Sequence, residues 1–128
     1  MGIGSRPLNS EKEYIAACQP GYMWMALLTG QHISSDAALV NGVPQWWRDA
    51  RGIAAGEGTF DFWEVRAEPL SALEDNAGTW CRRHLAGYTG MVNLETIGGS
   101  IIEVHLRFAD QWPDLYGKGW VDALVELY

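Results

Sequence analysis

Two glycines in tandem, Gly98-Gly99, divide the stretch Tyr88 to Phe108, YTGMVNLETIGGSIIEVHLRF, into two alternating runs. Paired glycines between alternating runs are a strong β-hairpin signal. Side chains alternate between the faces of a strand, so Ile102, Val104 and Leu106 point one way and Glu103, His105 and Arg107 the other. A two-residue turn at Gly98-Gly99 would set Glu103 opposite Leu94 and Glu95 opposite Ile102, and mix charge with hydrocarbon on both faces. A three-residue loop, Gly98-Gly99-Ser100, sets Glu95 opposite Glu103 and Asn93 opposite His105. A half-buried sheet selects the second register, because the first drives carboxylates into the core. The expected polar face therefore carries Asn93, Glu95, Glu103, His105 and Arg107.

Two carboxylates directly opposite each other repel. A divalent cation, a shared proton or plain solvent relieves that repulsion, and spacing alone leaves all three open. A solvated outer face softened by His105 and Arg107 accounts for the same pattern.

The chain of 128 residues is long enough for one domain, 1–128, with a core of its own. Seven tryptophans and a 48% apolar content exclude a disordered segment. A formal charge of −7 argues against nucleic-acid backbone and anionic membrane surfaces as partners. No apolar run reaches the length of a membrane span, and the N-terminus has no signal-peptide pattern, so a cytoplasmic location is expected. Cys18 and Cys81 lack metal-type spacing and are expected as free buried thiols on helices.

Met1 to Asn9 reads as a loose lead-in. Ser10-Glu11-Lys12-Glu13 is a capping box for a short helix to about Cys18. Tyr22 to Thr29 is a continuous apolar run, punctuated by Gly and Pro, and predicts a buried strand. His32 to Val40 is a second strand. Asn41-Gly42 predicts a type I′ turn into Val43 to Arg51, with Asp36 opposite Trp47 and Ala38 opposite Gln45. Gly52 to Gly58 is expected as a loop, and Phe60 to Ala67 as a strand. Pro69, with a second capping box at Ser71 and Glu74, opens the longest helix. Its buried stripe is Leu70, Leu73, Ala77, Trp80 and His84, with Gly87 beyond its end. After the hairpin, Ala109 to Tyr116 reads as a short turn or helix broken by Pro113, and Trp120, Val121, Leu124, Leu127 and Tyr128 stripe a terminal helix. The expected class is α+β: an antiparallel sheet of about six strands, helices on one face, and the polar face left open.

Element order and motifs together resemble the C-terminal half of an ATP-grasp domain, as in carboxylate–amine ligases and carbamoyl-phosphate-synthase-like proteins. That family carries an acidic residue on one hairpin strand and Glu-x-Asn on the next, which hold Mg²⁺ against the ATP phosphates. Glu95 matches the first acid and Glu103 the second. His105 stands at the Asn position and Arg107 where many members have Arg. GQHISSDAALVNGVPQWWR and GEGTFDFWEV resemble the strands upstream. The resemblance covers about Tyr14 to Tyr128. It implies Glu95, Glu103 and His105 as metal ligands, Asn93 and His105 beside the cofactor, and Arg107 as the catalytic cation on the transferred phosphoryl group. Histidine in place of Asn offers nitrogen and implies Mn²⁺ or Zn²⁺ over Mg²⁺.

The family's other subdomain grips the nucleotide with a Lys and a mobile glycine-rich loop. This chain has only Lys12 and Lys118, and neither flanks the Gly52 to Gly58 stretch. Three functional readings stand. The first is a stand-alone remnant of an ATP-grasp subdomain, without ligase activity by itself, serving as a binding or assembly module. The second is half of a split ligase, completed by an N-terminal partner chain and only then binding ATP. The third is an independent metal- or small-molecule-binding domain, for which His32, Asp36, Glu103 and His105 are an alternative ligand set. The first is preferred, because a split cleft must assemble two chains at each turnover. Ser34-Ser35 beside His32 lacks a nucleophile elbow, which removes serine hydrolysis. Adjacent Trp46 and Trp47 must point to opposite faces. One outward indole and an orphaned face lead to the expectation of a homodimer.

Overall fold

A computed structural model of the chain describes residues 6–56 and 59–109, and the single positions 119, 122, 125 and 126. Among the described residues the elements follow in the order α1 (Glu11–Ala17), β1 (His32–Val40), β2 (Val43–Gly56), β3 (Thr59–Val65), α2 (Ser71–His84), β4 (Gly90–Ile97) and β5 (Ser100–His105). The strands form one sheet, β3-β2-β1-β4-β5, with every neighbouring pair antiparallel. The class is α+β, with five strands where about six are expected. The expected turn from Ala109 to Tyr116 lies outside the described residues beyond its first position, and the terminal stripe of Trp120, Val121, Leu124, Leu127 and Tyr128 lies wholly outside them.

The missing strand is Tyr22 to Thr29, which enters no ladder. Tyr22, Met23, Trp24, Met25 and Leu27 are 56–84% exposed rather than buried. An apolar run states that a segment gains by burial, but a strand also needs a paired edge. Both sides of β1, which this segment leads into, are taken by β2 and β4. Gly52 to Gly56 is the reverse case: expected as loop, it continues β2 and pairs with β3.

The Asn41-Gly42 turn has φ of 51° and 78°, the positive pair that a type I′ turn requires. Gly42 also gives its amide to the Tyr88 carbonyl at 2.7 Å, and a Cβ on it would lie 2.6 Å from the Leu85 carbonyl oxygen. Pairing starts as expected, Val40 with Val43 and Leu39 with Pro44, and then a bulge shifts it by one residue. Asp36 therefore faces Arg48 rather than Trp47, and Ala38 faces Trp46 rather than Gln45. Pro44 supplies the reason: it has no N–H for the ladder, so pairing resumes one residue late.

Helix α2 covers one face of the sheet. Ala77 and Cys81 meet Ala37, Leu39, Val92 and Leu94, with Trp47, Trp80, Leu85, Tyr88, Ile101 and Val104 around them. The α2 start is one residue earlier than the capping box implies: Leu70 is the N-cap, and Glu74 Oε1 accepts from the Leu70 amide at 3.0 Å. His84 leaves the expected buried stripe. It is exposed, with its ring 4.9 Å from Trp80, because Ala77, Gly78 and Cys81 turn a narrower face to the sheet. Ser10 caps α1 by accepting from the Glu13 amide, yet α1 buries none of its residues. Cys18 follows α1 as an exposed thiol, whereas Cys81 is buried as expected.

Candidate functional site on the polar face

The face of the sheet opposite α2 carries His32, Ser34 and Asp36 from β1, Asn93 and Glu95 from β4, and Glu103 and His105 from β5. Its register is the one that the sequence predicts: Asn93 pairs with His105, Leu94 with Val104 and Glu95 with Glu103. The route to it differs. Ile97 pairs with Ser100 across a two-residue Gly98-Gly99 turn, and a bulge at Ile102 then moves Glu103 opposite Glu95. Burial of Val92 and Leu94, both 0% exposed, holds that register whichever way the turn is made.

Each carboxylate of the opposed pair is taken by its own imidazole. His32 Nε2 lies 2.8 Å from Glu95 Oε2, and His105 Nε2 lies 3.0 Å from Glu103 Oε1. The hydrogen bond from His32 holds the Glu95 carboxyl below its usual range against the opposing effect of burial; the charges of His32, His105 and Arg107 act in the same direction as that bond. The His32 ring stands edge-on to Phe60 and Trp63, at 4.9 and 5.6 Å between centroids. These walls come from β3, which lies two strands away across β2.

Asp36 is at the centre of the face and is 1% exposed, with Asn93 at 2% and Ser34 at 4%. Asn93 Nδ2 donates to Ser34 Oγ at 2.8 Å and to Asp36 Oδ1 at 2.9 Å. The Ala109 amide donates to the same Asp36 oxygen at 2.9 Å, and Phe108 lies 5.8 Å from Trp46. The chain leaving β5 thus closes over the middle of the face, which is not open as expected. Burial pushes the Asp36 carboxyl up to about 6, although the bonds from Ala109 and Asn93 and the charge of Arg107 pull it down. Arg48 faces Asp36 across the ladder, and its buried Nε has no hydrogen-bond partner.

The expected site residues divide accordingly. Glu95, Glu103 and His105 share the face. Asn93 is turned inward to Ser34 and Asp36 rather than toward a ligand. Arg107 is exposed beyond the end of β5, with Nη1 on the Phe108 carbonyl at 2.9 Å. The alternative set of His32, Asp36, Glu103 and His105 does not converge, since His32 bonds Glu95 instead. Among the described residues no three His, Cys, Asp or Glu side chains are arranged to hold a metal ion. Trp46 and Trp47 do point to opposite faces, but both are half-buried, Trp46 beside Phe108 and Trp47 against the α2 core, so neither is the expected outward indole. The His32–Glu95 pair and the burial of Asp36 were missed in the sequence. Their one signal is the alternation of His32, Ser34 and Asp36, which needs the β1–β4 register to be read.

No helix among the described residues is long and apolar enough to cross a membrane. Comparison of the chain with protein-family models, with curated proteins and with solved structures returns no match.

Proposed function

We propose that this domain is an ATP-grasp-type C-terminal subdomain which, by itself, acts as a binding or assembly module and does not turn over nucleotide. The observation that carries this reading is the opposed pair Glu95 and Glu103, on the sheet face away from the helix, with each carboxylate bonded to a histidine. The donor types suit a divalent ion, but the side chains as they stand do not converge on one. An ion has to break both imidazole bonds, at about 1 kcal/mol each, before it gains its ligands. Neither of its lysines, Lys12 and Lys118, flanks the glycine-rich stretch Gly52 to Gly58. The half-exposed Glu103 side chain favours the second reading, in which a partner chain completes the cleft and draws the acids onto an ion.

Calorimetry with Mg·ATP tests the first reading. The chain alone is expected to bind more weakly than about 1 mM, and a micromolar dissociation constant, roughly −8 kcal/mol, would sink it. A parallel titration with Mn²⁺ or Zn²⁺ is expected to show tighter binding than Mg²⁺, and His105→Asn to reverse that order. An unchanged order would remove His105 as a ligand.

A further inference from the structure

The segment Tyr22 to Leu27 is the largest apolar exposure among the described residues. Tyr22, Met23, Trp24, Met25 and Leu27 are 73, 84, 70, 56 and 66% exposed. At these fractions five such side chains present on the order of 600 Å² together, the upper end of what a monomer's surface carries in one patch. Its amides are also outside any ladder: that of Tyr22 reaches the Gln19 carbonyl at 3.2 Å, and those of Met23 to Thr29 meet no acceptor among the described residues. No charged residue falls between Gln19 and Gln31. An uncharged run outside any helix or ladder, with free amides and exposed apolar side chains, has what a strand needs except a sheet.

The same chain carries a sheet that lacks a strand. Among the described residues β3 is bonded on one side only, to β2. Phe60 and Phe62 on it are 37 and 55% exposed. The other edge, β5, presents Glu103 and His105 and no Phe, Tyr or Trp. The segment does not pair with its own β3. Gly30, at its root, sits against Gly98 in the β4–β5 turn, and the Gly98 amide donates to the Gln31 carbonyl at 3.0 Å. That turn is on the side of β1 away from β2 and β3.

We infer that Tyr22 to Thr29 is a donated strand, which pairs with the free edge of β3 in a second copy of this chain, reciprocally, in a two-fold dimer. A donor strand and an acceptor edge on one chain make the surface self-complementary, which a closed two-fold pair requires. Two donated segments and the two edges that receive them bury well over the ~1,200 Å² at which specific stable interfaces begin. The absence of charge on the segment lets it approach a chain of net charge −7 without direct repulsion. This assembly stands whether or not the polar face binds nucleotide.

Two single-site variants and their mixture test it. Met25→Pro removes a backbone donor from the segment, and Phe62→Asp places a charge on the receiving edge. By sedimentation equilibrium the native chain is expected to be a dimer at tens of micromolar, and each variant alone a monomer with native circular dichroism. Mixed together, the two variants are expected to form a heterodimer, because the Phe62→Asp copy still donates an intact strand to the intact edge of the Met25→Pro copy. A mixture that stays monomeric, a Met25→Pro chain that still dimerises, or a native chain that is monomeric to several hundred micromolar overturns the proposal. Hydrogen exchange on the native chain reads the pairing without any substitution. The amides of Met23 to Thr29 should gain at least about tenfold protection as concentration rises through the dimerisation range. Protection that is independent of concentration would show the segment covered within one chain, or by another occupant, and would likewise overturn it.

Discussion

Replacing Asp36 by Asn is expected to favour the folded protein increasingly as pH rises from acid to neutral. Asp36 is buried, and its carboxyl titrates at about 6 against an ordinary 3.8, with loss of hydration the first cause and the nearby charge of Asp49 a smaller one in the same direction. A group whose folded pKa is raised stabilises the fold fully below its unfolded value. That contribution is lost as pH rises through the window, because the unfolded chain releases its proton first. Each pH unit of the window costs about 1.4 kcal/mol, and the shift from 3.8 to about 6 gives a total on the order of 3 kcal/mol by neutral pH. In Asp36→Asn the amide oxygen still accepts from Asn93 and Ala109, and nothing at this position ionises. The new N–H₂ group adds an offset that does not vary with pH, so the slope is the readout. Urea unfolding of both chains, followed by tryptophan fluorescence, should show a stability difference that grows by about 1 to 3 kcal/mol in favour of Asn between about pH 4 and about pH 8. A difference that is flat across that range would refute the reasoning. A difference that grows in favour of Asp would show the ionised carboxylate held by a cation, with Arg48 or Arg107 the group to remove next.

Three further expectations follow from packing and pairing. A double-mutant cycle on His32→Ala and Glu95→Gln should return a coupling of about 1 kcal/mol near neutral pH. Because the Glu95 carboxyl is held low, its contribution is present above 4.5 and should fade as pH falls through the lowered folded value; a coupling that survives in strong acid would contradict this. Gly30→Ala should cost more than about 2 kcal/mol by thermal or urea unfolding, since Gly30 has φ of 122° and a Cβ there would stand 2.7 Å from the Gly98 Cα. Leu94→Ala removes a side chain that is 0% exposed and should cost about 3 kcal/mol; a loss under about 1 kcal/mol would mean that α2 collapses onto the sheet and fills the space.

The hairpin that carries Glu95 and Glu103 was legible because one constraint outweighs the details of its turn. Val92 and Leu94 have to be inside, and only one register puts them there without Glu103. The pairing follows from burial alone and the turn does not, since a bulge at Ile102 does what a third loop residue would do. In the Asn41-Gly42 hairpin the turn was legible and the register beyond it was not, because the slip depends on a hydrogen bond that Pro44 cannot make. Tyr22 to Thr29 shows another limit: hydrophobicity reports a preference for burial and says nothing of whether an edge is free to receive it. His84 lay on the helical period, but the small residues Ala77 and Gly78 let the helix approach on a narrower face. Asp36 and His32 were legible only as members of a face. Their partners come from residues 57 or more positions away, or from the segment that crosses after β5. The ATP-grasp resemblance rests on the hairpin motif and remains the reading proposed above.

The sheet order β3-β2-β1-β4-β5 also dictates how the chain has to assemble. Strands β1, β2 and β3 form a meander whose neighbours are close in sequence, and β4 with β5 forms a hairpin of its own. The two units share one ladder, the seam of β1 against β4, where Ile33 and Thr96 pair across 63 residues. Local ladders close quickly, whereas that seam must first close a long loop, so docking of two preformed pieces is expected to be the slow step of folding. A chain severed after Gly87, between α2 and β4, should then yield two fragments that recombine along the seam. Their rate of recombination would measure the docking step directly, with Leu39 and Val92 as the contacts on which it turns.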